Sequence, residues 1–336
     1  MSRDFEAYFE GEVMPLIARE HPDLLDEMSL RVEGSFGSGL EDELSDVDVT
    51  LYLPEQLWRE RGGQLQLTLY ELEPLVAHPF SEGPGSGVPR DAFAWWNLRH
   101  SEISVHRLSE LLCGRAESIL ADESDVPWEE AALEELLQLQ THPILRDGHG
   151  RLTRLRELTA VDRYPQRLWT KRLIRELIDL AGEYEEFDKA VHRDNPLAAH
   201  MFLAEVIRML FRVVFLVNRQ YYPWRTGFLR MFKDLPFGPR ELSGEFEIIG
   251  SHASWAEKSA AINRIVHAVT AQTLETGLLT EDMLRYLLHA WGAKAWDDPN
   301  WLESAEEYGK RAQAAGYDAW FGWIWEQWGW PRGEVP

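Results

Sequence analysis

Residues 31–53 read RVEGSFGSGLEDELSDVDVTLYL: an extended start, a Gly-Ser turn, an acidic link, and a strand carrying two aspartates. Side chains alternate along a strand, so Asp46 and Asp48 point to one face. Val47, Val49 and Leu51 point to the other and can anchor the strand in a core. Two neighbouring carboxylates repel, and a hard divalent cation is their usual neutraliser. Magnesium suits the pair, because it takes one or two carboxylates and fills its octahedron with phosphate oxygens and water. Gly34, Gly37 and Gly39 let the backbone approach a ligand closely and present N–H groups to phosphate oxygens. Ser35 and Ser38 add hydroxyl donors, and Pro54 closes the strand.

Either element alone is common, Asp-x-Asp in solvated acidic turns and Gly-Ser in loops. Here Asp46 follows Ser35 by eleven positions and an apolar strand comes directly after. That conjunction resembles the nucleotidyltransferase superfamily that shares its catalytic core with DNA polymerase beta. The resemblance implies an α/β (α+β) N-terminal domain with a small mixed, twisted sheet. It implies Mg2+ on Asp46 and Asp48, and a nucleoside triphosphate, ATP by preference, held by Gly34, Ser35 and Ser38. It also implies a third carboxylate on a later strand, completing the metal site or drawing a proton from the attacking hydroxyl. FAWWNLRHSEISVHRL, residues 93–108, reads as two strands turning at His100-Ser101. Glu102, Ser104 and His106 share one face of the second strand, Ile103 and Val105 the other. Glu102 is the carboxylate available there, with Ser104 as the competing alignment. His106 reads as a base, a substrate contact or a hydrogen-bonded surface histidine.

Composition bounds the partners. The 336 residues suggest two domains or one domain with a large appendage, and 45% hydrophobic content supplies a packed core. A formal charge of −23 argues against tight binding to a nucleic-acid backbone. Cys113, the single cysteine, excludes an internal disulfide and a cysteine-based zinc site and fits a reducing compartment. MSRDFEAYFEGEV at the N-terminus lacks the apolar core of a signal peptide, which points to the cytoplasm. HMFLAEVIRMLFRVVFLV, residues 200–217, is interrupted by Glu205, Arg208 and Arg212 along one helical face, so it reads as a buried soluble helix and not a membrane span.

An amphipathic helix is expected over 3–19 and another, broken at Gly62-Gly63, over 55–76; SEGPGSGVPR, 81–90, is a loop. SELLCGRAESIL reads as helical, and a second helix starts near Ser124 or Asp125 with Pro127 in its first turn. The character of the chain shifts here. The reading therefore divides it into a nucleotidyltransferase domain over 1–120, an all-α domain over 121–300 forming the other wall of a cleft, and a Trp-rich segment over 301–336 packed on that helical domain. Helices are expected at 154–158, 165–187, 196–219, 225–234, 253–275, 280–293 and 302–316. HPILRDGHGRLTRLRE (142–157), RYPQRLWTKRLIREL (163–177), HRDNP (192–196) and LVNRQYYPWRTGFLRMFKDLP (216–236) resemble the helical domain of unknown function that follows a nucleotidyltransferase domain in many bacterial proteins. The features that carry this are Arg193-Asp194 and the run from Asn218 to Pro223. Arg225 stands where that family usually has a lysine; the charge is kept while the donor geometry changes.

Basic residues cluster within this acidic chain: Arg163, Arg167, Lys171, Arg172 and Arg175, then Arg193, Arg219 and Arg225. Lys171 and Arg175 share a helical face. Lys171, Arg175, Arg193 and Arg225 are the candidates for holding phosphates and the departing pyrophosphate, against the alternative of a solvated face paired with Glu176 or Glu183. Five of the 15 tryptophans fall in AWFGWIWEQWGW, 319–330, where helical spacing favours packing or contact in a homodimer over stacking on a substrate. The function these readings imply is transfer of a nucleoside monophosphate to a hydroxyl or amine of a small-molecule acceptor. Resemblance to antibiotic-modifying nucleotidyltransferases suggests that class, and the negative charge favours a cationic acceptor. The alternatives are a protein-modifying, AMP-transferring enzyme of the antitoxin-like kind and a non-catalytic nucleotide sensor.

Overall fold

The computed structural model describes residues 9–39, 48–70, 102–281 and 283. Four strands form one mixed sheet: β1 (Ser29–Val32), β2 (Asp48–Leu53), β3 (Glu102–Arg107) and β4 (Ile144–Asp147), in the order β3-β2-β1-β4. β1 runs antiparallel to β2 and β4, whereas β2 and β3 are parallel. This is the small mixed sheet that the sequence predicts. β4 falls outside the expected strands, and it joins β1 across a bulge between Leu30 and Arg31.

The period-two reading of β2 holds at the described positions. Val49 and Leu51, with Leu53, Leu30, Val32 and Ile103, are buried in one apolar cluster. Helices α1 (Met14–Glu20) and α2 (Gly63–Tyr70) cover this face, supplying Leu16, Ile17, Leu65 and Leu69. The glycine pair does not end the second of the predicted helices; Gly62 closes a wider helical turn that continues directly into α2. On the side of β3 away from β2, the Gln66 carboxamide takes the Val105 N–H at 2.7 Å and donates to the Ile103 carbonyl at 2.9 Å. A side-chain amide thereby stands in for a strand's hydrogen bonds.

Beyond β3 the expected continuous helix is broken. Leu112, Cys113 and Gly114 have φ of 54°, 58° and 81°, and the helix resumes as α3 (Ala116–Ala121). The next helix, α4 (Leu133–Thr141), starts later than Ser124 or Asp125, because Pro127 is used in a turn that accepts the Ala131 N–H. β4 and α5 (Arg151–Leu158) follow, with Asp147 accepting the first free N–H groups of α5, from Leu152 at 2.9 Å and Thr153 at 2.8 Å.

The chain divides into two compact units. The first comprises residues 1–164 and 221–230, the second 165–220 and 231–336. The first holds the sheet, α1 to α5 and the Tyr221 segment, whose hydroxyl donates to the Thr159 carbonyl at 3.0 Å. The second is helical: α6 (Gln166–His192), α7 (Pro196–Val217), α8 (Pro239–Gly250) and α9 (Trp255–Glu275). Asn195 caps α7 and Ser254 caps α9 through a capping box with Glu257. α8 is absent from the expected helices. Phe246 on α8 stacks on Phe211 of α7 with ring centroids 4.2 Å apart. Among the described residues no helix is long and apolar enough to cross a membrane, and on α7 Glu205 and Arg208 pair at 2.6 Å, as their spacing predicts. The Trp-rich segment lies outside the described residues.

Leu51 is fully buried at the centre of the sheet. Leu51→Ala is expected to cost about 3 kcal/mol of stability through lost transfer energy and a residual cavity. Urea unfolding followed by circular dichroism measures this.

Candidate functional site

The backbone turns sharply where β1 ends. Glu33 is extended, with φ −111° and ψ −173°, and Gly34 then takes φ +62° to open a short helical turn, Gly34–Gly37. An L side chain is strained in that conformation, which explains glycine here. A second constraint acts at the same atom. A Cβ added to Gly34 would lie 3.1 Å from Asp48 Oδ2, so the Asp48 carboxylate sits directly against the glycine backbone. The turn and the start of β2 are tied by the Glu33 N–H, which donates to the Asp48 carbonyl at 2.7 Å. Ser38 Oγ donates to the Gly34 carbonyl at 2.6 Å, so this hydroxyl is engaged in closing the turn. Ser35 is half-buried within it.

Asp48 and Glu102 are register partners at the first positions of the parallel strands β2 and β3, which puts both residues on the same face of the sheet. For Glu102 it is the backbone that is described. Asp46 lies outside the described residues. Among the described residues no group of three or more His, Cys, Asp and Glu is arranged to hold a metal. His106 is exposed and its Nδ1 lies 2.8 Å from Glu110 Oε2, which is the hydrogen-bonded surface histidine of the sequence reading. Arg225 belongs to the first unit and is exposed. Lys171, Arg175 and Arg193 belong to the second unit; Arg175 is exposed with its Nε 3.9 Å from Asp179 Oδ2, and Arg193 caps the end of α6. Glu176, considered as a partner for these cations, accepts from Arg212 at 3.2 Å.

The polar face of the sheet holds a group that the sequence reading missed. Arg31 is buried, and its Nε donates to Glu33 Oε1 at 2.7 Å while its Nη2 donates to the Tyr52 hydroxyl at 3.0 Å. The Tyr52 hydroxyl donates in turn to Glu33 Oε1 at 3.1 Å. His142 Nδ1 reaches Glu33 Oε2 at 3.0 Å. Burial alone would raise the Glu33 carboxyl, yet the hydrogen bond from His142, the charge of Arg31 and its hydrogen bond hold it below its ordinary value. Burial pushes the Tyr52 phenol up, so it stays a neutral donor. Among the described residues, Arg31 Nη1 is buried with no hydrogen-bond partner. The available signal was the alternation of Arg31 with Glu33, the extended residue just past β1, two charges at a spacing of two with apolar neighbours.

Two outcomes follow from this geometry. Gly34→Ala is expected to lose about 1–2 kcal/mol, the cost of an L residue in the left-handed region, and to press on Asp48; thermal unfolding measures it. Glu33→Gln is expected to lose about 3 kcal/mol near neutral pH, because Arg31 keeps its buried charge without its carboxylate. Since folding lowers the Glu33 pKa, its contribution is complete above the ordinary glutamate range and disappears as pH falls through the depressed folded value. The stability gap between wild type and variant should therefore close on acidification, as read by denaturant unfolding across pH.

Residues 128–226 match the model of a family described as a domain of unknown function (DUF4037). No curated protein matches the chain. The matched range begins in the first compact unit, supplies β4 and α5 to it, continues through α6 and α7 of the second, and returns to the first at Tyr221. The chain thus carries this uncharacterised domain, interleaved with the sheet that bears Asp48.

Proposed function

We propose that the protein is a magnesium-dependent nucleotidyltransferase that moves a nucleoside monophosphate, AMP by preference, from the triphosphate to a hydroxyl or amine of a small-molecule acceptor. The observation that carries this reading is the Asp48 carboxylate seated against the left-handed backbone of Gly34, 3.1 Å from where a side chain would begin. Glycine there leaves room for a ligand's oxygens beside a carboxylate, and the register brings Glu102 level with Asp48 on the neighbouring strand. An all-oxygen donor set of carboxylates is the chemistry that magnesium favours, so Asp46 and Asp48 fit as its holders. When bound, magnesium neutralises charge on the phosphate oxygens and strengthens the nucleophile.

The chain's own residues have distinct tasks in this reading. The Gly34 and Ser35 backbone and the Ser35 hydroxyl hold the triphosphate by N–H and O–H donation. Glu102 takes the proton from the acceptor as its oxygen or nitrogen attacks the α-phosphorus. A new P–O or P–N bond forms, the α–β phosphoanhydride bond breaks in line, and pyrophosphate leaves with the electron pair. Arg225, in the same compact unit as Asp48, supplies a cation for that leaving group.

Calorimetric titration of ATP, GTP, CTP and UTP, with and without magnesium, tests the reading on wild type and on Asp46→Ala/Asp48→Ala. Magnesium-dependent binding by the wild type and its loss in the double variant is the expected result. A folded wild type that binds none of the four triphosphates overturns it.

A further inference from the structure

His142 lies 109 positions beyond Glu33, near the start of the matched range, and it is 1% exposed. An ionised carboxylate only accepts hydrogen bonds, so the proton in the contact with Glu33 Oε2 belongs to His142 Nδ1. The same imidazole packs against the helical turn. A Cβ on Gly37 would fall 2.7 Å from His142 Nδ1 and 2.6 Å from the Val32 carbonyl, so no side chain fits between ring and turn. His142 is itself pinned: its N–H donates to the Gln138 carbonyl at 2.9 Å and its carbonyl accepts from Arg156. Next to it, the Pro143 carbonyl takes the Val32 N–H at 3.0 Å. Val32, Glu33 and Gly37 are therefore gripped by one short segment from far along the chain. Each of these contacts lies within two or three residues of Gly34 or Ser35, and Glu33 also holds the Asp48 carbonyl.

We propose that His142 is a positioning residue: through Glu33 and Gly37 it fixes where the Gly34–Ser35 backbone stands relative to Asp48. The proposal rests on the nucleotidyl-transfer reading for the ligand that the turn holds. It gives the matched domain a direct part in forming the phosphate-holding turn, in addition to any surface its helices offer. An apolar pair could fill this space equally well, since burying charge is costly, whereas a carboxylate met by a directed N–H donor fixes direction and register. That is the property a turn facing a polyphosphate requires.

The test compares His142→Ala, His142→Asn, Glu33→Gln and the His142→Ala/Glu33→Gln double variant. Mg-ATP affinity is measured by calorimetry, and amide hydrogen exchange is followed over residues 33–39 and over the rest of the chain. His142→Ala and Glu33→Gln are each expected to weaken Mg-ATP binding about tenfold, the scale of a lost supporting contact, with His142→Asn, whose amide can replace the Nδ1 donor, within about twofold of wild type. The double variant should be no weaker than the weaker single, because both act through one contact. His142→Ala should also lose protection over 33–39 while keeping it in the second unit. Wild-type affinity and wild-type exchange in His142→Ala, or losses that add in the double variant, overturn the proposal. If His142→Ala does not fold, the comparison of His142→Asn with Glu33→Gln decides, and equal affinity in the two counts against positioning. If the wild type binds no triphosphate, the nucleotide reading fails and the exchange measurement still decides whether His142 orders the turn.

Discussion

The polar face of the sheet is tied together at one half-buried carboxylate. Glu33 receives hydrogen bonds at both oxygens, from Arg31 and Tyr52 at one and from His142 at the other. An ion in such a place persists only when its lone pairs are met, because the loss of hydration is repaid by directed donors and opposite charge. Each donor comes from a different piece of chain: β1 itself, β2, and the end of α4. Satisfying this one group therefore fixes three elements at once, and the helical turn that begins at the next residue inherits their rigidity. Among the described residues the Nη1 of Arg31 has no partner, and a buried donor left so carries a desolvation cost.

The sheet separates two kinds of chemistry by its pleat. On one face Val49, Leu51, Val32, Leu30 and Ile103 enter a dry cluster closed by α1 and α2. On the other, Arg31, Thr50, Tyr52 and Asp48 bring polar groups together at and around the turn. β1 is buried on both sides, so its polar residues are enclosed. The apolar face supplies cohesion, and the polar face supplies direction.

Much of this was legible in the sequence, and the failures have physical causes. Alternation alone gave the faces of β2 and β3, since burial of one side imposes a period of two on a strand. The long helices α6, α7 and α9 were readable from their 3.6-residue periodicity, as was the pairing of Glu205 with Arg208. β4 was not: Ile144–Asp147 is four residues without alternation, and it becomes a strand only because Ser29–Arg31 lies beside it. α8 is hard to read because Gly244 interrupts its pattern, although Pro239 and Glu241 are a helix start in miniature, the Glu241 carboxylate accepting the Gly238 N–H at 3.0 Å. The Gly34–Asp48 juxtaposition was foreshadowed by residue type. Its support by His142 was not, because a contact spanning so much chain leaves no local trace.

Residues 221–230 belong to the first unit although the segments on either side belong to the second. The chain therefore passes between the units three times, after residues 164, 220 and 230. Neither unit is a continuous piece of sequence, and no single cut yields both intact. A nick after residue 164 would leave the two products held together by the Tyr221 segment, whose hydroxyl stays bonded to Thr159 on the other fragment. Truncation at that point would instead strip the sheet-bearing unit of this segment. The body that folds and the range that a family model marks out are different objects in this protein, so the proper subject for its biochemistry is the whole chain.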